Sequence, residues 1–273
     1  MNKKELETLV NHKLITEVGY VDDLLSNPTK LEEVSVEDMA IMGALSQPVV
    51  NKTIIEEGVD ILIPITTQEE FISRMKAGKL IKLTNDLHLD TCIIIDEGDV
   101  CNVDLNGYTI TAGVFAESNE EISEGDSDSY VFWNKGGNLS ISSNGTIKAQ
   151  DAKYSIAIWT QAGTTILNGG TYLNGGEGSD LIYASGTGSV VINGGYYVAG
   201  VKQDGVDGTA NIRAALNVKD ADYKKGTAKI EVFGGSFLEF DPADNVSETE
   251  HTNFVAEGYK SELIGNVYKV VAA

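Results

Sequence analysis

The sequence predicts a mainly β protein built as a parallel β-helix, and three observations carry the prediction. A glycine-centred phrase occurs five times, as Leu105-Asn106-Gly107-Tyr108, Ser143-Asn144-Gly145-Thr146, Asn168-Gly169-Gly170-Thr171, Asn193-Gly194-Gly195-Tyr196 and Phe233-Gly234-Gly235-Ser236. Its aligned glycines are spaced by 38, 25, 25 and 40 residues, and such an interval marks a corner that recurs once per coil. Apolar residues alternate around each copy, and a repeat of that size cannot bury its apolar face alone, so the copies must stack. Prolines stand only at positions 28, 48, 64 and 242. The whole span between Pro64 and Pro242 can therefore donate every backbone N–H to a neighbouring strand. Asn-Gly pairs are also common hairpin turns, which makes an antiparallel sandwich the competing reading. Hairpins alone do not produce two successive intervals of equal length.

Residues 1–63 read as a separate helical segment for attachment or oligomerisation, ahead of a β domain over 64–273. Leu6, Val10, Leu14, Val21 and Leu25 recur at about helical intervals before Pro28. Ser35 can cap a second helix carrying Met39, Met42 and Leu45 before Pro48. Short amphipathic helices of this kind are marginal alone, so their apolar faces need a partner, within the chain or on another.

The β domain opens on a helix expected at roughly 68–77. Thr67 and Glu70 have the spacing of a capping box, Phe71, Ile72 and Met75 share one face, and Gly78 suits the left-handed turn after the last helical residue. From Leu80 the period changes to two, as in Leu80-Ile81-Lys82-Leu83 and Leu87-His88-Leu89. Each coil should supply about three short strands, for example Thr165–Leu167, Thr171–Leu173 and Leu181–Ala184, with glycine and asparagine where positive φ is needed. The two longer intervals hold insertions, Glu117 to Ser129 in the first and 202–208 with 219–226 in the last. An end coil exposes unpaired edges, and the 68–77 helix is placed to cap the first.

Composition narrows function. A formal net charge of −21 and a pI near 4.4 argue against binding nucleic acid or anionic lipid through long-range attraction. No apolar run reaches membrane-spanning length. The start Met1-Asn2-Lys3-Lys4-Glu5 lacks the apolar core of a secretory signal, so synthesis in a cytoplasm is expected. Cys92 and Cys101 are too few for a disulfide framework or a four-cysteine zinc site and read as small buried hydrophobes. No cofactor is expected.

Catalytic constellations are sparse. The chain has two arginines, Arg74 on the capping helix and Arg213, which could meet Asp220 and Asp222 as an exposed ion pair. Glu117, Glu120, Glu121, Glu124, Asp126 and Asp128 depart from calcium-loop spacing and read as a solvated acidic loop, as does 204–208. His12, His88 and His251 are scattered, with His88 expected to point outward, and no nucleophilic triad is legible. Tyr172, Tyr196, Tyr197 and Phe237 follow the aligned glycines, with Tyr108 in the first copy, so at least one column could stack; pointing outward it would form a flat platform for sugar rings, and packing inward is the favoured reading. Trp133 and Trp159 are the candidate sugar contacts.

The run TTQEEFISRMKAGKLIKLTNDLHLD, followed by VDLNGYTI, resembles the opening of many right-handed β-helix proteins, with the motifs on Ile81–Leu89 and Val103–Ile110. The ending FDPADNVSETEHTNFVAEGYKSELIGNVYKVV, residues 240–271, resembles the last segment of β-helical virion proteins of tailed phages infecting gut Bacteroidetes. The resemblance implies a right-handed, single-stranded parallel β-helix with an N-terminal capping helix, preceded by a short helical segment. It further implies a non-enzymatic head fibre or tail spike, commonly a homotrimer, fixed to capsid or tail proteins through residues 1–60. β-Helices also carry polysaccharide lyases and glycosidases, so a glycan-binding or glycan-degrading protein, acting on host surface polysaccharide, is the alternative.

Overall fold

A computed structural model describes residues 64–114, 128–176, 180–202 and 212–273. The expected helices of residues 1–63, with Leu6, Val10, Leu14, Leu25, Met39, Met42 and Leu45, lie outside the described residues, as do most of the acidic stretch after Glu117 and the stretch 204–208.

The first element is helix α1, Gln68–Lys76. Its capping box forms as expected: the Glu70 amide donates to the Thr67 hydroxyl, and the Thr67 amide donates to the Glu70 carboxylate. Phe71 and Met75 are buried, and Gly78 follows with φ +65°. A cap of this kind stabilises a helix by about 1 kcal/mol.

Everything after it is mainly β, and most of the strand pairing is parallel. One column contains β3 (Ile93–Ile95), the first half of β6 (Asp128–Ser142), the first half of β8 (Tyr154–Leu167), β10 (Ile182–Ala184) and β15 (Leu216–Val218). A second contains β1 (Ile81–Lys82), β4 (Val100–Asp104), the second halves of β6 and β8, β11 (Ser189–Ile192) and β16 (Lys229–Val232). The third runs β2 (Leu87–Leu89), β5 (Thr109–Ala112), β7 (Thr146–Asp151), β9 (Thr171–Gly175), β12 (Tyr196–Val198) and β17 (Gly235–Leu238). The antiparallel sandwich is thereby excluded for these segments. Antiparallel pairing occurs between β13 (Val201–Lys202) and β14 (Ile212–Arg213), and in the closing hairpin described below.

The register follows the glycine spacing. Thr146 pairs with Thr171, Thr171 with Tyr196 and Tyr196 with Ser236, the intervals of the repeated phrase. The first interval differs by one: Thr109 pairs with Thr146 although Gly145 lies 38 residues beyond Gly107. The corner from Asp104 to Thr109 is one residue longer than that from Ser142 to Thr146.

The two glycines of the Asn-Gly-Gly phrase have different tasks. A Cβ on Gly194 would lie 3.0 Å from the Asn168 carbonyl oxygen one coil away, while Gly195 adopts φ +107°. The first allows close approach and the second turns the chain. Asn168 and Asn193 do not take positive φ, contrary to expectation; their side chains instead join successive corners, Asn193 Nδ2 donating to Asn168 Oδ1 at 2.9 Å.

Alternate residues of the three columns point into one continuous apolar core. In the third column Leu87, Ile110, Ile147, Tyr172, Tyr197 and Phe237 succeed one another, all buried. Tyr172 and Tyr197 stack at 4.9 Å between centroids and Tyr197 and Phe237 at 4.7 Å, with nearly parallel planes. Each tyrosine hydroxyl donates to a corner carbonyl, of Gly169 and Gly194 respectively. Where the first column turns into the second the core is polar. Asn134, Thr160 and Thr165 are fully buried. Asn134 Nδ2 lies within hydrogen-bond reach of the Gly137 and Thr164 carbonyls and the Thr165 hydroxyl, which itself bonds Thr160 at 2.8 Å.

Both ends are closed. Helix α1 packs against β1, β2 and β4, and Gln68 Oε1 accepts from the Asp90 and Thr91 amides. At the far end, β15 is covered by Ser247, which donates to the Leu216 carbonyl, and by Glu248, which accepts from the Val218 amide. Beside it, β16 is covered by Phe254 and Ala256, which exchange backbone hydrogen bonds with Val232. The hairpin of β18 (Tyr259–Ile264) and β19 (Val267–Ala272) pairs antiparallel with β17.

Candidate functional site

The outward residues of the first column form the most distinctive surface feature. Its inward residues, Ile93, Phe132, Ile158, Ile182 and Leu216, belong to the main core. The next residue of each strand therefore faces out, aligning Ile94, Trp133, Trp159, Tyr183 and Asn217. Both sugar-contact candidates fall on this one line.

Trp133 and Trp159 stack at 4.4 Å with planes 5° apart. Tyr130 meets both edge-on, and Tyr183 tilts against Trp159 at 6.0 Å. Together with Ile156 and Cys92 these residues form a second apolar cluster outside the main core. Trp159 is 1% exposed and its indole N–H donates to the Ser185 hydroxyl at 3.0 Å. Trp133 is half-buried, its N–H donating to Gln161 Oε1 at 3.2 Å. The Lys135 ammonium lies 4.4 Å from the Trp133 ring centroid, a cation–π distance. Burial pushes the Cys92 thiol up to about 11, so it stays protonated and unreactive near neutrality.

This geometry limits the chemistry. Trp159 offers no free face, and Trp133 has one face against Trp159. Exposed to a ligand are the edge of Trp133, the Lys135 ammonium and Ile94, which is 38% exposed. Tyr130 and Tyr183 belong to the same cluster and were not singled out from sequence. The repeat does not show it, because Tyr183 pairs with Trp159 at 24 residues (183 − 159), one short of the glycine interval.

Charged groups are distributed differently. Lys76 bonds Asp99 and Asp96, which raises its pKa, chiefly through the Asp99 hydrogen bond. Lys82 lies 3.8 Å from Asp104. Arg213 does not meet Asp220 or Asp222: its Nε donates to Glu239 at 2.7 Å and its Nη1 to the Ala199 carbonyl. Asp222 instead accepts from the Gly186 amide, at the start of helix α2, Asp220–Lys225. Arg74 donates to the Leu80 carbonyl, and His88 is exposed on β2 as expected. His251 bonds Asp244 at 2.8 Å, which raises its pKa. Among the described residues no group of three or more His, Cys, Asp and Glu side chains could hold a metal ion, and no helix is long and apolar enough to cross a membrane.

The described residues thus define a mainly β protein with parallel sheets and an outward aromatic cluster. No protein-family model matches the chain, and searches of curated proteins and of solved structures find no significant match.

Proposed function

We propose that the chain is a structural protein of a phage virion, a β-helical fibre or spike that projects from the capsid or tail. In this reading the three columns are the faces of a single-stranded parallel β-helix, right-handed because parallel crossovers almost always are. The observation that carries it is the continuous parallel register from β2 to β17, with aromatic rings stacked coil on coil. A ladder of this kind resists bending, so the product it supplies is mechanical. The resemblance of residues 240–271 to phage virion proteins supports the location.

Residues 1–63, through Leu6, Val10, Leu14, Leu25, Met39, Met42 and Leu45, attach the rod to capsid or tail proteins and assemble a homotrimer. The protein is made in the host cytoplasm and ends in the virion, with no enzymatic step, cofactor, nucleic acid or membrane insertion. Immunogold electron microscopy of purified particles tests this. Label at fixed positions on the virion is expected, and deletion of residues 1–63 should abolish it while the deleted protein keeps its β circular dichroism. Particles without label would overturn the reading.

The outward Trp133–Trp159–Tyr183 line favours a second reading, a β-helix that holds or cleaves host glycan. Its test is binding of surface polysaccharide by wild type against Trp133→Ala, with reducing-end and unsaturated-product assays for cleavage.

A further inference from the structure

The cover at the far end creates an edge of its own. Strand β18 ends its sheet, and Leu263 and Ile264 are 58% and 61% exposed. The tight Gly265-Asn266 turn makes Ile264–Val267 the closing hydrogen-bonded pair. The Ala273 amide donating to the Gly258 carbonyl keeps the same alternation. Gly258, Lys260, Glu262 and Ile264 therefore direct their backbone groups at β19, while Tyr259, Ser261 and Leu263 direct theirs away from it. The Tyr259 amide is used locally, by the Ala256 carbonyl. Backbone N–H groups of Ser261 and Leu263, and the carbonyls beside them, point off the sheet.

We propose that β18 pairs antiparallel with β18 of a second copy, across a two-fold axis at Ser261. Only registers that oppose outward-directed residues are open to it; within Tyr259–Ile264 a centre at Leu263 leaves only the two hydrogen bonds between the Leu263 residues, and Lys260, Ser261 and Glu262 are the other centres that oppose more than one residue. Centring on Glu262 sets Glu262 against itself, and centring on Lys260 sets Lys260 against itself; like charges directly opposite are destabilising. Centring on Ser261 sets Lys260 against Glu262 twice and Tyr259 against Leu263 twice. Four backbone hydrogen bonds form without disturbing Tyr259: two between the Ser261 residues, and two from Leu263 amides to Tyr259 carbonyls.

Two further observations select a second copy. The opposite end of the sheet lies under α1, so head-to-tail growth through that end is blocked and a self-complementary contact is what the open edge admits. Residues 259–273 carry two lysines and one glutamate in a chain of net charge −21, so copies meet here with little repulsion. The inference does not depend on virion attachment, because it concerns the end remote in sequence from residues 1–63.

The test is the mass of the full chain by sedimentation equilibrium. Glu262→Lys opposes lysines across the axis, and Lys260→Glu/Glu262→Lys restores opposite charges in exchanged positions. Wild type and the double variant are expected at a larger mass than Glu262→Lys. Ser261→Pro removes an outward amide and leaves the β19 ladder intact, so it too should lower the mass, with unchanged circular dichroism as the check on folding. Equal masses for wild type and both disruptive variants would overturn the proposal, as would failure of the double variant to recover. Loss of virion labelling with this association intact would overturn the functional reading alone.

Discussion

Replacing Tyr197 with alanine should remove about 4–5 kcal/mol of stability. The ring is fully buried, with Tyr172 on one face at 4.9 Å and Phe237 on the other at 4.7 Å. Truncating a buried aromatic residue to alanine costs about 3–5 kcal/mol. The upper end applies because both faces lose a stacked partner, each such contact contributing about 0.5–1.5 kcal/mol beyond burial. Tyr197→Phe removes only the bond to the Gly194 carbonyl and should cost about 1 kcal/mol. Tyr197→Leu keeps an apolar side chain without flat faces, and should fall between, near 2–3 kcal/mol. Guanidinium unfolding followed by far-ultraviolet circular dichroism measures each as a shift in midpoint at constant slope. An alanine variant within about 1 kcal/mol of wild type, or a leucine variant equal to the phenylalanine one, would refute the argument that the stack, rather than burial alone, holds these coils together.

Three other outcomes are expected. Gly188→Ala brings a Cβ to 2.0 Å from the Thr160 carbonyl oxygen and should prevent folding, whereas Gly226→Ala meets open space at φ +69° and should cost only about 1–2 kcal/mol; thermal melts of the pair check the contrast. Burial raises the Tyr172 and Tyr197 phenols far above their usual 10, so their contribution is complete below pH 10. It is lost above pH 10 at about 1.4 kcal/mol per unit for each tyrosine. Cys101, pushed up to about 12, adds its own loss from pH 9, so the readout is a shallower decline in Tyr172→Phe/Tyr197→Phe than in wild type. In Trp133→Phe, the remaining indole of Trp159 should resist iodide quenching, and ready quenching would contradict its 1% exposure.

What could be read from sequence was set by short-range rules. The capping box at Thr67 and Glu70 and the corner phrases are local patterns, and two equal intervals fixed which strands become neighbours. The inward Tyr172–Tyr197–Phe237 column followed from alternation. Long-range outcomes were harder. Arg213 chose Glu239, 26 residues away, because the chain brings the two elements together after an intervening excursion that no pattern specifies. Trp133 and Trp159 were candidates individually, but they pair at an offset of 26 residues (159 − 133), one more than the 25-residue glycine interval, so the repeat did not show them as neighbours. The hairpin was hidden because β18 and β19 have the same apolar alternation as a parallel strand, and only Gly265-Asn266 marks the reversal.

The corner between the first and second columns is spanned by residues 161–163 in one coil, 185–188 in the next and 219–228, including α2, in the one after. The strands on either side keep their partners regardless of that difference. Length can thus be added at this bend without altering the scaffold beneath, which makes it the natural place for such a protein to acquire new surface loops, and for an engineer to insert a peptide for display.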